Sequence, residues 1–191
     1  PKIPDLYYET IHNWLLHIAG WNVDTRCCVL QNSGVYVLAW GALQLLTKPG
    51  DAVVILTPVH SVFKELLTLN NRKTLECPLM LKNGFYEIDF SFLEGCLASG
   101  AKVLWLCNPH NPVGRAWTRE ESKKIADLCL RYQVTILSDD VYCGLTYAGK
   151  PYTPIASLSQ EISYHTITFY STSKTYNTTA LRHAFMVSEN P

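Results

Sequence analysis

The chain predicts an α/β fold in three layers, helix, sheet and helix, around a mostly parallel sheet of about seven strands. Three observations carry this. Short apolar segments recur, among them residues 52–56, 102–107 and 134–138. Stretches with helical spacing alternate with them. Turn signals such as Lys48-Pro49-Gly50-Asp51 and Lys82-Asn83-Gly84 punctuate the alternation. Uniformly apolar strands that alternate with helices belong to a sheet covered on both faces, which is the habit of parallel sheets. In such sheets ligands bind at the carboxyl ends of the strands.

Residues 6–18 predict the first helix. Tyr8, Ile11, Trp14, Leu15 and Ile18 share one face, and Gly20 can close it in the left-handed conformation. A short strand at 27–31 leads through Asn32-Ser33-Gly34-Val35 into a second helix, with Val35, Leu38, Ala42, Leu45 and Leu46 on one face. Alternation then follows: strand 52–56, helix 61–69, strand 73–78, helix 92–98 and strand 102–107. Thr118-Arg119-Glu120-Glu121 is a capping box that starts a helix running to about Tyr132. Strand 134–138 ends on Asp139-Asp140. Strand 165–170 leads into Ser171-Thr172-Ser173-Lys174, and 183–188 reads as the last strand.

A length of 191 residues suits one large domain, and 48% apolar content supplies its core. Zero net charge leaves no basic face for nucleic acid. The apolar runs are too short to span a membrane. Pro1-Lys2-Ile3-Pro4-Asp5 is not a signal peptide. The seven cysteines show no framework spacing, which argues for reduced thiols in a cytoplasmic protein, and the histidines show no zinc spacing. The expectation is therefore no metal site.

The residues with chemical potential fall at strand ends. Lys174 sits past a strand among small hydroxyl residues, where its amine can condense with an aldehyde and Ser171 and its neighbours can hold an anion. The same run also reads as an exposed, solvated loop. Arg182 adds a planar cation suited to phosphate. Ser33, Gly34 and Val35 put free backbone N–H groups at a helix start, an anion site or an ordinary cap. In Asn108-Pro109-His110-Asn111-Pro112-Val113-Gly114, two Asn-Pro pairs stiffen a loop that presents Asn111. Asp139 at a buried strand end needs a cationic partner, for which a protonated ring nitrogen would serve; a helix cap or surface ion pair is the other reading. Tyr142 follows it. His60, after Thr57-Pro58-Val59, is either a stacking group for a flat ring or a structural histidine.

In their order and spacing these runs resemble the fold-type-I pyridoxal-phosphate (PLP) enzymes, the aspartate aminotransferase superfamily with its class I/II aminotransferases. The likeness covers essentially the whole chain. The run from Pro109 to Arg115, with Thr57-Pro58-Val59 and Lys174-Thr175-Tyr176-Asn177, looks most like the bacterial cystathionine β-lyase-type C–S lyases. The resemblance implies PLP as cofactor and Lys174 as the Schiff-base lysine and acid–base. It implies Asp139 at the pyridinium nitrogen, and Asn111 and Tyr142 at the ring's phenolic oxygen. Gly34, Val35, Ser171 and Arg182, with Ser33 beside them, would hold the phosphate, and His60 would stack on the ring.

The chain departs from the family pattern at His60, usually tyrosine, and at Ala180 and Ala184, usually glycine or small. Alanine at 180 would be costly if that position needs positive φ. Tyr142 stands where the lyases usually carry histidine, and looks more like an aminotransferase. An N-terminal arm and a small C-terminal domain, with the arginine for the substrate carboxylate, are not represented. The resemblance thus implies the PLP-binding large domain of a longer enzyme that is a homodimer acting on a small amino acid. The reaction is C–S β-elimination to thiol, pyruvate and ammonia, or transamination; a non-catalytic binding protein of the same fold is the third reading.

Overall fold

The computed structural model of the chain describes residues 3–31 and 34–191. Its elements run α1 (Asp5–Ala19), β1 (Cys28–Gln31), α2 (Val35–Leu46), β2 (Ala52–Thr57), α3 (Val62–Leu69), β3 (Lys73–Pro78), β4 (Met80–Lys82) and β5 (Phe85–Glu87). They continue with α4 (Phe90–Ala98), β6 (Val103–Cys107), α5 (Arg119–Arg131), β7 (Thr135–Asp139), α6 (Gln160–Tyr164), β8 (Thr166–Ser171), α7 (Thr172–Thr175) and β9 (Ala184–Val187). Seven strands form the main sheet in the order β1-β9-β8-β7-β6-β2-β3. The pairs from β3 through to β8 are parallel, and β9 runs antiparallel to both β8 and β1. This is the mostly parallel, seven-stranded α/β sheet that the alternation predicts.

Strand alternation divides the core between two faces. Val54, Leu56, Leu104, Leu106 and Ile136 pack against Leu93 and Leu97 of α4 and Ile125 and Cys129 of α5. Val53, Ile55, Trp105, Leu137 and Phe169 pack against Leu38 and Ala42 of α2 and Phe63 and Leu67 of α3. Phe63 stacks on Trp105 with ring centroids 4.2 Å apart. Each buried Leu, Ile or Phe contributes roughly 1.5–3 kcal/mol by its removal from water. A third cluster joins α1 to the β8–β9 end: Ile11 and Leu15 lie on Tyr170, Phe185 and Val187, with Tyr7, Tyr8 and Trp14 at its edge.

The start and stop signals act as the residues suggest. Gly20 closes α1 at φ 63°, its N–H donating to the Leu16 carbonyl and that of Trp21 to the Leu15 carbonyl. Thr118 and Glu121 form both halves of the capping box on α5. Several expectations need correction. Leu45 is 81% exposed, because the buried stripe of α2 runs through Leu38, Ala39, Ala42 and Leu43 and leaves position 45 well off its centre. The turn at Asn83 and Gly84 joins a separate two-stranded hairpin, β4 and β5, with φ of 51° and 81°, positive at both central residues as such hairpins require. Cys27 belongs to a 3-10 turn (Thr25–Cys27) ahead of β1. Asp139 closes β7 instead of following it, and the lysine run is a single helical turn, α7, capped by Ser171. Among the described residues, no helix is long and apolar enough to cross a membrane.

Candidate active site

The carboxyl edge of the main sheet is where the chemistry collects. Gly34 and Val35 connect β1 to α2, and His60 lies between β2 and α3. Asn111 follows β6, Asp139 and Tyr142 stand at the end of β7, and Ser171 and Lys174 stand at the end of β8. Arg182 precedes β9, and because β9 runs backwards its first residue meets this same edge. All nine line one cavity of about 450 Å³. Ser33 lies outside the described residues. The cavity wall also includes Tyr36, Ser173, Thr179 and His183, which sequence reasoning missed. Position alone could have raised Tyr36, Ser173 and His183, each one residue from a candidate; nothing local marks Thr179.

One end of the cavity is built from the backbone at the start of α2 and from Arg182. Gly34 opens α2 at φ 92°, ψ 174°, a conformation that side chains rarely adopt. Among the described residues no side chain caps the helix, and its first residues line the cavity, with the helix dipole behind them. Arg182 takes the left-handed conformation at φ 45°, which ends the 3-10 turn Thr179–Leu181 and turns the chain into β9. Ala180 sits inside that turn and is not a positive-φ residue, so the cost expected for alanine there does not arise. Ser171 is engaged within the protein: its Oγ accepts from the Ser173 N–H at 3.1 Å and donates to the His183 carbonyl at 2.7 Å. His183 is tethered from outside by the Tyr7 hydroxyl on Nε2, and burial lowers its pKa.

The loop after β6 is rigid for a stated reason. Asn108 accepts from the Trp117 N–H and donates to the Thr153 carbonyl, both at 3.1 Å. The buried His110 ring reaches Pro58 O at 2.9 Å, and the His60 N–H donates to Asn111 O at 3.2 Å. The loops after β2 and β6 are thereby tied together. Asn111 Nδ2 is left facing the cavity, 3.4 Å from the Tyr142 hydroxyl.

Asp139 and Asp140 are both buried but serve different surroundings. Burial raises Asp139 to about pKa 6 against the opposing pull of the Val141 N–H and the Lys174 charge. Its carboxylate accepts one long backbone bond, from Val141 at 3.4 Å. Asp140 points away from the cavity, where Ser138 Oγ lies 2.5 Å from Oδ1, and the Tyr152 hydroxyl, itself 2.9 Å from that of Tyr170, meets Oδ2. Burial carries Asp140 up to about 8. Its folded pKa lies above its unfolded one, so the folded state holds the extra proton, and stability falls as pH rises from about 4 towards 8. Asp140→Asn, which mimics the protonated acid, should flatten that fall; urea titrations of the cofactor-free protein at pH 5 and pH 8.5 check this. An equal pH dependence in the variant and the parent would show that Asp140 is not the group responsible.

The Lys174 amine lies 6.0 Å from the centre of the Tyr142 ring, and among the described residues nothing accepts a hydrogen bond from it. The cavity thus has two cations, Lys174 and Arg182, beside one buried carboxylate whose hydrogen-bonding capacity is mostly unused. Such a donor set fits a ligand with an anionic group at the Gly34–Arg182 end, a protonated ring nitrogen at Asp139 and a carbonyl within reach of Lys174. Among the described residues no group of His, Cys, Asp and Glu could hold a metal ion.

The family model described as aminotransferase class I and II matches residues 18–191. The chain belongs to that family. Cystathionine beta-lyase PatB of Bacillus subtilis (strain 168) is 38% identical over 175 residues, which are 91% of this chain and 45% of that protein. Kynurenine--oxoglutarate transaminase 3 of Rattus norvegicus is 33% identical over 165 residues, 82% of this chain and 36% of that protein. Among solved structures, cystalysin from Treponema denticola, which contains a pyridoxal 5'-phosphate cofactor, matches all of this chain and 48% of its own at a TM-score of 0.96 and 33% identity. The chain therefore spans less than half the length of these members of the aminotransferase class I and II family.

Proposed function

We propose that this chain is the cofactor-binding large domain of a longer PLP-dependent C–S β-lyase of the cystathionine β-lyase kind. The observation that carries the reading is the meeting of Lys174, Asp139, Asn111–Tyr142 and the Gly34–Arg182 anion end in one cavity, in a chain 38% identical to a cystathionine β-lyase. PLP, when bound, supplies an aldehyde for amines and a ring that takes up electron density from the substrate Cα.

The chain's own residues supply the rest. The N–H groups at the start of α2 and the Arg182 guanidinium would hold the phosphate, with Ser171 beside them. Asp139 keeps a proton on the ring nitrogen, since a buried carboxylate and a cation stabilise each other. Asn111 and Tyr142 would hold the phenolic oxygen, and His60 would lie against the ring. Lys174 would hold the aldehyde, and its amine, once free, would take the Cα proton. Loss of the thiol from Cβ, with uptake of one water, gives thiol, pyruvate and ammonia.

Transamination is the second reading, supported by Tyr142 and by the 33% identity to the rat transaminase. The full-length enzyme with cystathionine and no keto acid separates the two. Sustained release of pyruvate and thiol is the expected result. One stoichiometric turnover that resumes only when a keto acid is added would overturn it in favour of transamination. Failure to take up PLP at all would favour a non-catalytic role.

The same proposal places the enzyme in the cytoplasm as a homodimer. Seven free thiols support the compartment. The exposed Tyr36, Val37, Trp40 and Leu45 on α2 give an apolar surface for the pairing. Tyr7, Tyr8 and Trp14 are partly buried at the edge of the cluster that joins α1 to β8 and β9, and offer less of such a surface. A sedimentation mass of one subunit would count against the dimer.

A further inference from the structure

Gly144 closes the turn that follows β7 and carries Tyr142, and it is packed directly on the turn that carries Lys174. A methyl group built on its Cα would stand 2.3 Å from Thr175 Cγ2, 2.7 Å from Oγ1 and 3.1 Å from Cβ. Of the described glycines it alone meets any atom closely. Its φ lies outside the left-handed region, so conformation does not call for glycine here; space does. Thr175 Oγ1 is buried without a hydrogen-bond partner, so contact, not bonding, sets where this side chain rests. Thr175 is the last residue of the four-residue α7 and follows Lys174 directly. A displaced Thr175 therefore moves the lysine.

We propose that Gly144 is a positioning residue for Lys174: the missing side chain at 144 lets Thr175 seat against the Tyr142 turn, and this contact sets the reach of the lysine amine. The inference rests on the reading of Lys174 as the aldehyde-binding lysine. It predicts that the two positions are coupled, and that the coupling appears in covalent capture of the aldehyde as well as in turnover.

The test is a cycle of four full-length proteins, the parent, Gly144→Ala, Thr175→Ala and the double variant. Each is mixed with PLP, reduced with borohydride at timed intervals and mapped by peptide mass for pyridoxyl on Lys174. Gly144→Ala should slow capture by at least about tenfold in the parent background, and by less than about threefold when Thr175 is already alanine. Equal losses in both backgrounds, or no loss in either, overturn the inference. If Gly144→Ala alone does not fold, recovery of folding in the double variant supports the contact, and a double variant that also fails to fold overturns it. A parent protein that captures no PLP at Lys174 brings down the proposed function itself. In a parent that does capture it, undiminished capture by Gly144→Ala brings down only this inference.

Discussion

Lys174→Ala in the full-length enzyme is expected to lower turnover of a thiol-bearing amino acid by at least about 10³-fold, from the loss of a positioned acid–base group. Among the residues lining the cavity, Lys174 is the one that carries a primary amine. Lys174 is exposed, and its amine carries no hydrogen bond within the described residues, so its removal should leave thermal stability within about 0.5 kcal/mol of the parent. Lys174→Arg keeps the charge but not the nucleophile, and should be as inactive as the alanine variant. Noncovalent PLP binding should persist in both, because the anion end does not use Lys174. The checks are pyruvate release, and cofactor retained on a desalting column with and without prior borohydride. Turnover within tenfold of the parent would remove Lys174 from the centre of the chemistry.

Asp139→Asn is expected to cost about 10²–10³-fold in turnover, equivalent to roughly 3–4 kcal/mol, while raising the stability of the cofactor-free protein. Both effects come from one buried charge. Burial raises Asp139 to about 6 in the fold from the ordinary carboxylate value of 3.8. Its folded pKa exceeds its unfolded one, so its contribution to stability is complete below about pH 4 and is lost as pH rises to about 6. Above that, the cofactor-free protein holds an unpaired buried carboxylate, and the neutral amide relieves it by on the order of 3 kcal/mol. With a protonated ring beside it the balance reverses, since the carboxylate then has its counter-charge and asparagine has none to offer. Urea unfolding at pH 7.5, with and without PLP, should therefore rank the variant above the parent without cofactor and bring the two together or invert them with it. The same ranking in both states would mean that Asp139 does not meet a cation in the bound ligand.

These residues were legible in the sequence to different depths. Local periodicity and turn chemistry were enough to place the helices, the parallel strands and the capping box at Thr118, because short-range sterics and hydrogen bonding decide them. They were also enough to bring Asn111, Asp139, Tyr142, Ser171 and Lys174 to strand ends, and parallel strands put such ends on one edge. Arg182 is different. Its place beside the others depends on β9 entering the sheet backwards between β1 and β8, a long-range pairing that no local pattern announces. Asp139 and Asp140 look alike as a pair of acids. The fold sends one to the cavity and the other to Tyr152 and Tyr170, residues 12 and 30 positions away whose approach only the packed chain creates.

By itself, then, the sequence determined the α/β class and the strand ends, which follow from residue type and spacing, and it put Lys174 forward as a candidate at one of those ends. Tertiary structure alone decided that Leu45 faces out, that Ala180 is unstrained, that Thr179 joins the cavity wall and that Gly144 has no room for a side chain. Each of those depends on which distant atoms occupy the neighbouring space, and close packing makes that a property of the whole chain instead of any one segment.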